Sequence, residues 1–287
     1  MLLLVDLDGV VYRGHVAVPG VPALLRRRAA AGDTIVYVTN NSSAHRSEYL
    51  GRLRGHGAPV SEDRIVTAAR ATALLLAEER SATAASAGRR PVMVLGGPGL
   101  EREIRDAGMK VVGPTRDALA SEPDTLAVGV DFALTYDRLS VAAEAVRRGA
   151  RFVATNRDPV FPTPDGLTAG AGAIVAALEA TLGRLADIVI GKPEPRLFLA
   201  AAETVGLDAA AAIVIGDGLG TDIAAARAVG ARSILMLTGV TTEEQLRAAP
   251  EEGRPTAAAR DAAELERLLE RFTTDSATLS PTRHRTP

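Results

Sequence analysis

Short apolar runs alternate with longer amphipathic stretches along the chain, and this alternation limits the fold more than any single motif. Strand-like runs stand at Leu2–Leu7, Thr34–Thr39, Pro91–Leu95, Thr125–Val130, Arg151–Thr155, Asp187–Ile190, Ala212–Ile215 and Ser233–Leu237. Between them Ser42–His56, Thr67–Glu79, Asp137–Arg148, Ala171–Leu182 and Leu219–Val229 carry the helical period. Several of these stretches stop at a glycine suited to a left-handed helix end: Gly57, Gly149, Gly183 and Gly230. Strands separated by helices build a mostly parallel sheet wrapped by helices, so the fold class is α/β.

The 287 residues suffice for one large or two modest domains. Glu78 to Pro91, "EERSATAASAGRRP", is small, polar and aperiodic, and reads as a linker. After it the strand–helix pattern starts afresh. There "LGGPGL", Leu95 to Leu100, has the glycines of a phosphate loop without a full dinucleotide fingerprint, and reads as a tight turn into a helix. Arg157 to Ala173 is rich in proline and glycine and long for a connection, and loops of this kind are often functional. From Thr273 onward there is little to bury, and disorder is expected.

Composition removes several classes of function. The chain has no cysteine, so any metal must be held by oxygen or imidazole. The formal charge of −2 and the 3% aromatic content argue against a nucleic-acid surface, and Arg26, Arg27 and Arg28 read as the wet face of a helix. The apolar start is too short for a signal peptide and lacks a basic flank, and no run is long enough to span a membrane, so a soluble, cytoplasmic protein is expected.

In open α/β sheets ligands bind beyond the carboxyl ends of the strands. The first strand ends in Asp6 and Asp8, the second in Thr39, Asn40, Asn41 and Ser42, a later one in Gly191-Lys192, and another in Asp217 with Asp222 five residues on. Each tip alone could be a turn or a helix cap, with Ser42 or Ser43 as cap. Together they bring carboxylates, one lysine and a hydroxyl to one edge. Three clustered acids repel one another unless a cation lies among them, and a hard ion with oxygen ligands, Mg2+ where phosphate is substrate, resolves this. Lys192 adds a positive charge, and hydroxyl and main-chain N–H groups at Thr39, Asn40 and Asn41 suit a phosphate. Neighbouring aspartates could divide labour between attack on phosphorus and proton transfer.

"DLDGVVYRG", "TNNSS", "GKPEP" and "GDGLGTDIAAA", in this order, resemble the four motifs of the haloacid dehalogenase superfamily of phosphatases. Their spacing resembles the branch whose Rossmann-like core carries a large inserted α/β cap of the C2 type. That branch holds p-nitrophenyl phosphate, phosphoglycolate, pyridoxal phosphate and glycerol 3-phosphate phosphatases. The resemblance covers about residues 2–272 and implies a core of residues 1–82 and 186–272, a cap of 83–185, and a tail of 273–287 outside both.

It further implies Asp6 as nucleophile and Mg2+ ligand, and Asp8 as acid and base, also ligating Mg2+ through its carbonyl oxygen. Thr39 and the Asn40 amide would hold phosphate, Lys192 would neutralise charge, and Asp217 would bind Mg2+ with Asp222 in support. The superfamily's dehalogenases lack the second acid, so Asp8 favours a phosphatase. The fourth motif departs from the branch, whose members usually carry arginine and an acidic residue where this chain has Gly218 and Gly220.

Cap residues would face the leaving group, with Asn156, Arg157 and Asp158 as candidate contacts; the alternative is that Asn156 and Asp158 brace their own turn. His15, His45, His56 and His284 lack partners at ligand spacing and suit solvent or capping positions. The expected activity is hydrolysis of a small phosphorylated metabolite, glycerol 3-phosphate or phosphoglycolate first, in a homodimer formed through the cap. The alternatives are a nucleotidase, a sugar or pyridoxal phosphatase, or a protein that senses a phosphorylated ligand without turnover.

Overall fold

The computed structural model describes residues 1–82, 90–163 and 166–278. In chain order its strands are β1 (Leu2–Asp6), β2 (Tyr12–Arg13), β3 (Val16–Ala17), β4 (Thr34–Thr39), β5 (Ile65–Thr67), β6 (Val92–Leu95), β7 (Val111–Val112) and β8 (Thr125–Val128). They continue with β9 (Arg151–Ala154), β10 (Val160–Thr163), β11 (Gly166–Ala169), β12 (Ile188–Val189), β13 (Ile213–Gly216), β14 (Arg232–Met236) and β15 (Ala257–Ala259).

Two parallel sheets result, as the strand–helix alternation requires. The first has six strands in the order β15-β14-β13-β1-β4-β5, with the five buried residues of β1 near its centre. The second has five, in the order β12-β9-β8-β6-β7. Leu3, Val5, Ile35, Tyr37, Ile213 and Ile215 point to one face of the first sheet. Leu2, Leu4, Val36, Val38 and Val214 point to the other, where they join Val92, Val94, Ala127 and Val153 of the second sheet. The alternation follows from the two-residue period of a strand, and it gives the two sheets one continuous apolar cluster, with helix Ala68–Ala82 packed into it.

Four expectations need correction. Ile188–Val189 pairs in parallel with β9, so this strand belongs to the second sheet and the expected boundary at residues 185/186 falls too early. Residues 78–82 close helix Ala68–Ala82 instead of opening a linker, and the rest of that linker, residues 83–89, lies outside the described residues. The stretch 157–173 contains the antiparallel hairpin β10–β11 and the start of helix Ala171–Leu182. The last helix runs from Ala262 to Thr278, past the expected end of order at Phe272; Leu265, Leu269 and Phe272 form a buried stripe at helical spacing that seats it on the first sheet, and Thr273 Oγ1 donates to the Leu269 carbonyl at 2.8 Å. Residues 279–287 of the expected tail lie outside the described residues.

Among the described residues no helix is long and apolar enough to cross a membrane.

Candidate active site

The carboxyl ends of β1, β4 and β13 lie side by side, since these strands are adjacent and parallel in the first sheet. The polar groups at their tips therefore converge. Asp6 ends β1, Thr39 ends β4, and Asp217 follows β13. Lys192 reaches the same place from the second sheet, three residues after β12.

The Lys192 ammonium, 4% exposed, donates to Asp6 Oδ1 at 2.5 Å and to Asp222 Oδ1 at 2.7 Å. Burial works against its charge, but Asp222 and Asp6 outweigh that and hold the ammonium above its usual range. Burial raises the Asp6 carboxyl well above the ordinary carboxylate value; Lys192 pulls it down, and Asp222 and Asp217 push it up. Asp217 is raised to about 6, first by burial and then by Asp222.

Asp217 occupies a narrow slot. Its Oδ2 accepts from the Val240 N–H at 2.8 Å, and its carbonyl oxygen accepts from Thr241 Oγ1 at 2.6 Å. A Cβ at Gly9, whose φ is +77°, or at Gly239 would overlap the Asp217 carboxylate. Asp222 is fixed by the Gly218 N–H at 3.1 Å and Thr221 Oγ1 at 3.2 Å, both donating to its Oδ2. A side chain at Gly218 would crowd Thr221, whereas Gly220 faces open space.

Asp6, Asp217 and Asp222 offer carboxylate oxygens that all lie within 4.8 Å of one another. Lys192 bonds only two of the three; among the described residues no cation hydrogen-bonds Asp217, and burial, with Asp222 beside it, suppresses its ionisation. This donor set, all oxygen and short of positive charge, fits a hard divalent cation. Substituting Gly239→Ala should displace Asp217 and weaken Mg2+ binding by roughly 10- to 100-fold, the loss typical of disturbing a ligand's support. Titration calorimetry checks this.

The loop after β4 is held from several sides. Thr39 Oγ1 accepts from the Asn41 N–H at 3.2 Å. The Asn40 side chain accepts from the Lys192 N–H at 2.8 Å and donates Nδ2 to the Lys192 carbonyl at 2.9 Å and to both Asp158 oxygens at 3.1 Å. Asn156 Nδ2 donates to the Asn40 carbonyl at 2.7 Å. Asn40 thus ties Lys192 and the loop after β9 to one point. The helix that follows starts at Arg46, and its cap is His45, which accepts from the Ser47 N–H at 3.2 Å; the expected caps Ser42 and Ser43 lie upstream. Asn41 Oδ1 takes the Ser43 N–H at 2.8 Å, which turns the chain before the helix can begin. "LGGPGL" does lead into a helix, Pro98–Asp106, whose Gly99 N–H donates to the Ser43 carbonyl at 3.1 Å. His45 Nε2 also stands 3.1 Å from Asp106 on that helix.

These groups open onto a cavity of about 350 Å3 bounded by both sheets' loops. Asp6, Asp8, Thr39, Asn40, Asn41, Lys192, Asp217 and Asp222 line it, as do Asn156 and Asp158. Arg157, expected beside them, is absent from the lining; it pairs with Glu179 at 2.9 Å on helix Ala171–Leu182. Asp8 reaches solvent there, and burial of its carboxyl raises it, with Arg52 and Lys192 opposing. Asp158 is raised by burial too. Three further elements of the site were not anticipated: Thr221 on Asp222, the Val240 N–H on Asp217, and the apolar wall of Val130, Val160 and Phe161. Signals for the first two stand in the chain: "GTD" places Thr221 directly before Asp222, and "TGVTT" is the polar end of the run at Ser233–Leu237.

Residues 3–110 match the model of the family "haloacid dehalogenase-like hydrolase", and residues 189–265 match a second model, "HAD-hydrolase-like". A glycerol-3-phosphate phosphatase from Gallus gallus is 37% identical over 269 residues, covering 88% of this chain and 84% of the relative. A p-nitrophenyl phosphatase structure from Archaeoglobus fulgidus has a TM-score of 0.83 at 33% identity, covering 93% of this chain and 98% of that one. A glycerol phosphate phosphatase from Mycobacterium tuberculosis, in complex with magnesium, has a TM-score of 0.81 at 33% identity, covering 93% and 78% respectively.

Proposed function

This chain belongs to the haloacid dehalogenase-like hydrolase family, and from that premise we propose that it is a Mg2+-dependent phosphomonoesterase acting on a small phosphorylated metabolite through an aspartyl-phosphate on Asp6. The observation that carries the reading is the buried triad of Asp6, Asp217 and Asp222 around Lys192, at the floor of a cavity that also holds Asp8 and Thr39.

An Asp6 oxygen attacks phosphorus as the bond from phosphorus to the ester oxygen breaks. Asp8 gives its proton to the departing oxygen, a task suited to a carboxyl whose pKa is raised. Asp8 then takes a proton from a water molecule that attacks the same phosphorus and frees Asp6. Thr39 and the main-chain N–H groups at Asn40 and Asn41 hold the phosphoryl oxygens, and Lys192 offsets their charge. Asp6 and Asp217 would hold Mg2+, with Asp222 in support and, as the resemblance implies, the Asp8 carbonyl as a further donor. Bound Mg2+ supplies charge that draws electrons from the phosphoryl group and shields Asp6 from the incoming anion. The second sheet, with the hairpin β10–β11, acts as the cap that excludes water.

The relatives support glycerol 3-phosphate as substrate, since two of them are named for glycerol phosphate. Phosphoglycolate is the other leading candidate. Phosphate release from both, with Mg2+ and with a chelator, tests the reading; release that ignores the chelator would contradict it.

A pH dependence follows from Asp217. Its folded pKa of about 6 lies above the ordinary carboxylate value, so metal-free folding favours its protonated form. The stability from that protonation is full under acid conditions and is lost as pH rises through about 6. Metal binding needs the ionised form and releases the proton. Mg2+ should therefore raise the unfolding temperature above pH 6 and progressively less below it. Thermal unfolding at a series of pH values, with and without Mg2+, measures this.

A further inference from the structure

The cavity lining divides into a charged floor and an apolar wall. Among the described residues that line it there are five carboxylates, from Asp6, Asp8, Asp158, Asp217 and Asp222, and one cation, Lys192. That cation is engaged by Asp6 and Asp222. The wall is Val130, Pro159, Val160, Phe161 and Ala171, with Phe161 braced edge-to-face by Phe132 at a centroid distance of 5.5 Å. Arg157 turns away to Glu179, and Arg52, whose charge acts on Asp8, lies over the Tyr12 ring at 5.3 Å, outside the lining.

Asp158 is the acid of this set that comes from the second sheet's loops, on the side where a leaving group would sit. Its two oxygens accept from Asn40 Nδ2 at 3.1 Å, and its N–H donates to Asn156 Oδ1 at 3.0 Å. The turn it shares with Asn156 therefore fixes its direction, and both residues line the cavity. A carboxylate has about four acceptor sites, so one amide leaves capacity for donors in the cavity. Among the described residues no ion pair holds it.

We infer that Asp158 and the apolar wall make this cavity a filter for phosphomonoesters whose leaving group is uncharged, hydroxyl-bearing or aromatic, and that they turn away leaving groups that carry a carboxylate. The inference rests on the phosphatase reading and narrows its substrate class. A carboxylate on the leaving group would lose water beside Asp158 without gaining a counter-charge, and like charges brought together in a closed site oppose binding. A hydroxyl instead donates a charge-assisted bond to Asp158. A carbon chain or ring packs on Val160 and Phe161. Glycerol 3-phosphate and p-nitrophenyl phosphate fit this lining better than 2-phosphoglycolate does.

The test compares kcat/KM for these three compounds at about pH 8, where the carboxylate of 2-phosphoglycolate is ionised. It uses the full chain with Mg2+ and the variants Asp158→Asn and Val160→Arg. The amide introduced by Asp158→Asn keeps an acceptor for Asn40, and Val160 is 48% exposed, so a longer side chain there has room. The wild type should prefer glycerol 3-phosphate over 2-phosphoglycolate by roughly tenfold or more, and each variant should move that ratio toward 2-phosphoglycolate by at least about fivefold. A wild type that hydrolyses 2-phosphoglycolate as well as glycerol 3-phosphate overturns the inference, as does a ratio that moves in neither variant. Release from p-nitrophenyl phosphate separates the two levels of failure. If it persists while the preference is reversed, only the filter is wrong; no release from any of the three, in folded protein, removes the phosphatase reading and the filter with it.

Discussion

Asp6→Asn is expected to leave the protein folded and to reduce phosphate release by at least roughly a thousandfold, because losing a nucleophile costs that much or more. Asparagine has nearly the shape of aspartate and keeps an oxygen facing the Lys192 ammonium, which donates to Asp6 Oδ1 at 2.5 Å. Its neutral amide oxygen lacks the negative charge that makes the carboxylate a nucleophile toward phosphorus. Because burial already opposes the ionised form of Asp6, a neutral amide at that position adds no buried charge. Thermal unfolding together with phosphate release separates the two effects. An unfolded variant would make the carboxylate structural, and near wild-type release would remove it from the chemistry.

Lys192→Met carries the largest expected change in stability. The ammonium is buried with both partners, and Asp6 and Asp222 are 7% and 1% exposed. Removing it leaves two buried carboxylates without their counter-charge, and breaking a buried pair in this way costs about 3–5 kcal/mol. The loss should shrink as pH falls, since carboxyls stranded without a counter-charge have raised pKa values and fold more readily when protonated. Mg2+ should restore part of it by supplying the missing charge. Denaturant unfolding at neutral and acid pH, with and without Mg2+, checks all three statements; a variant as stable as the wild type at neutral pH would mean that the pair contributes nothing.

How far the site could be read from the chain depended on where each residue's partners lie. Asp6, Thr39 and Asp217 sit at the ends of apolar runs that are buried in a parallel sheet, and a run that ends in a polar turn is a local signal. The sheet to which Ile188–Val189 belongs is not a local property. Two half-buried residues have no period of their own, and only pairing with β9 assigns them. The hairpin β10–β11 was hidden for a related reason: Pro159, Pro162 and Gly166 read as loop residues, yet an edge hairpin tolerates proline.

Arg157 failed as a site residue because its partner, Glu179, lies on the next helix and offered no signal near the "NRD" turn. His45 displaced Ser42 and Ser43 as helix cap because Asn41 had already taken the Ser43 N–H. The slot around Asp217 needed Gly9 and Gly239, which are distant in sequence and meet only in the fold. Apart from that cap, whose cause is local, the chemistry at the strand ends was legible in the sequence, whereas assignments that depended on a distant partner were not.

The most direct test of the central claim is a rapid acid quench of the Mg2+-loaded Asp8→Asn protein during turnover of p-nitrophenyl phosphate, followed by mass analysis of the N-terminal peptide. Without Asp8 to activate water, the account predicts that one phosphoryl group accumulates on the peptide containing Asp6, and that Asp6→Asn carries none. Turnover without any phosphoryl-protein, or a phosphoryl group at another residue, would contradict it.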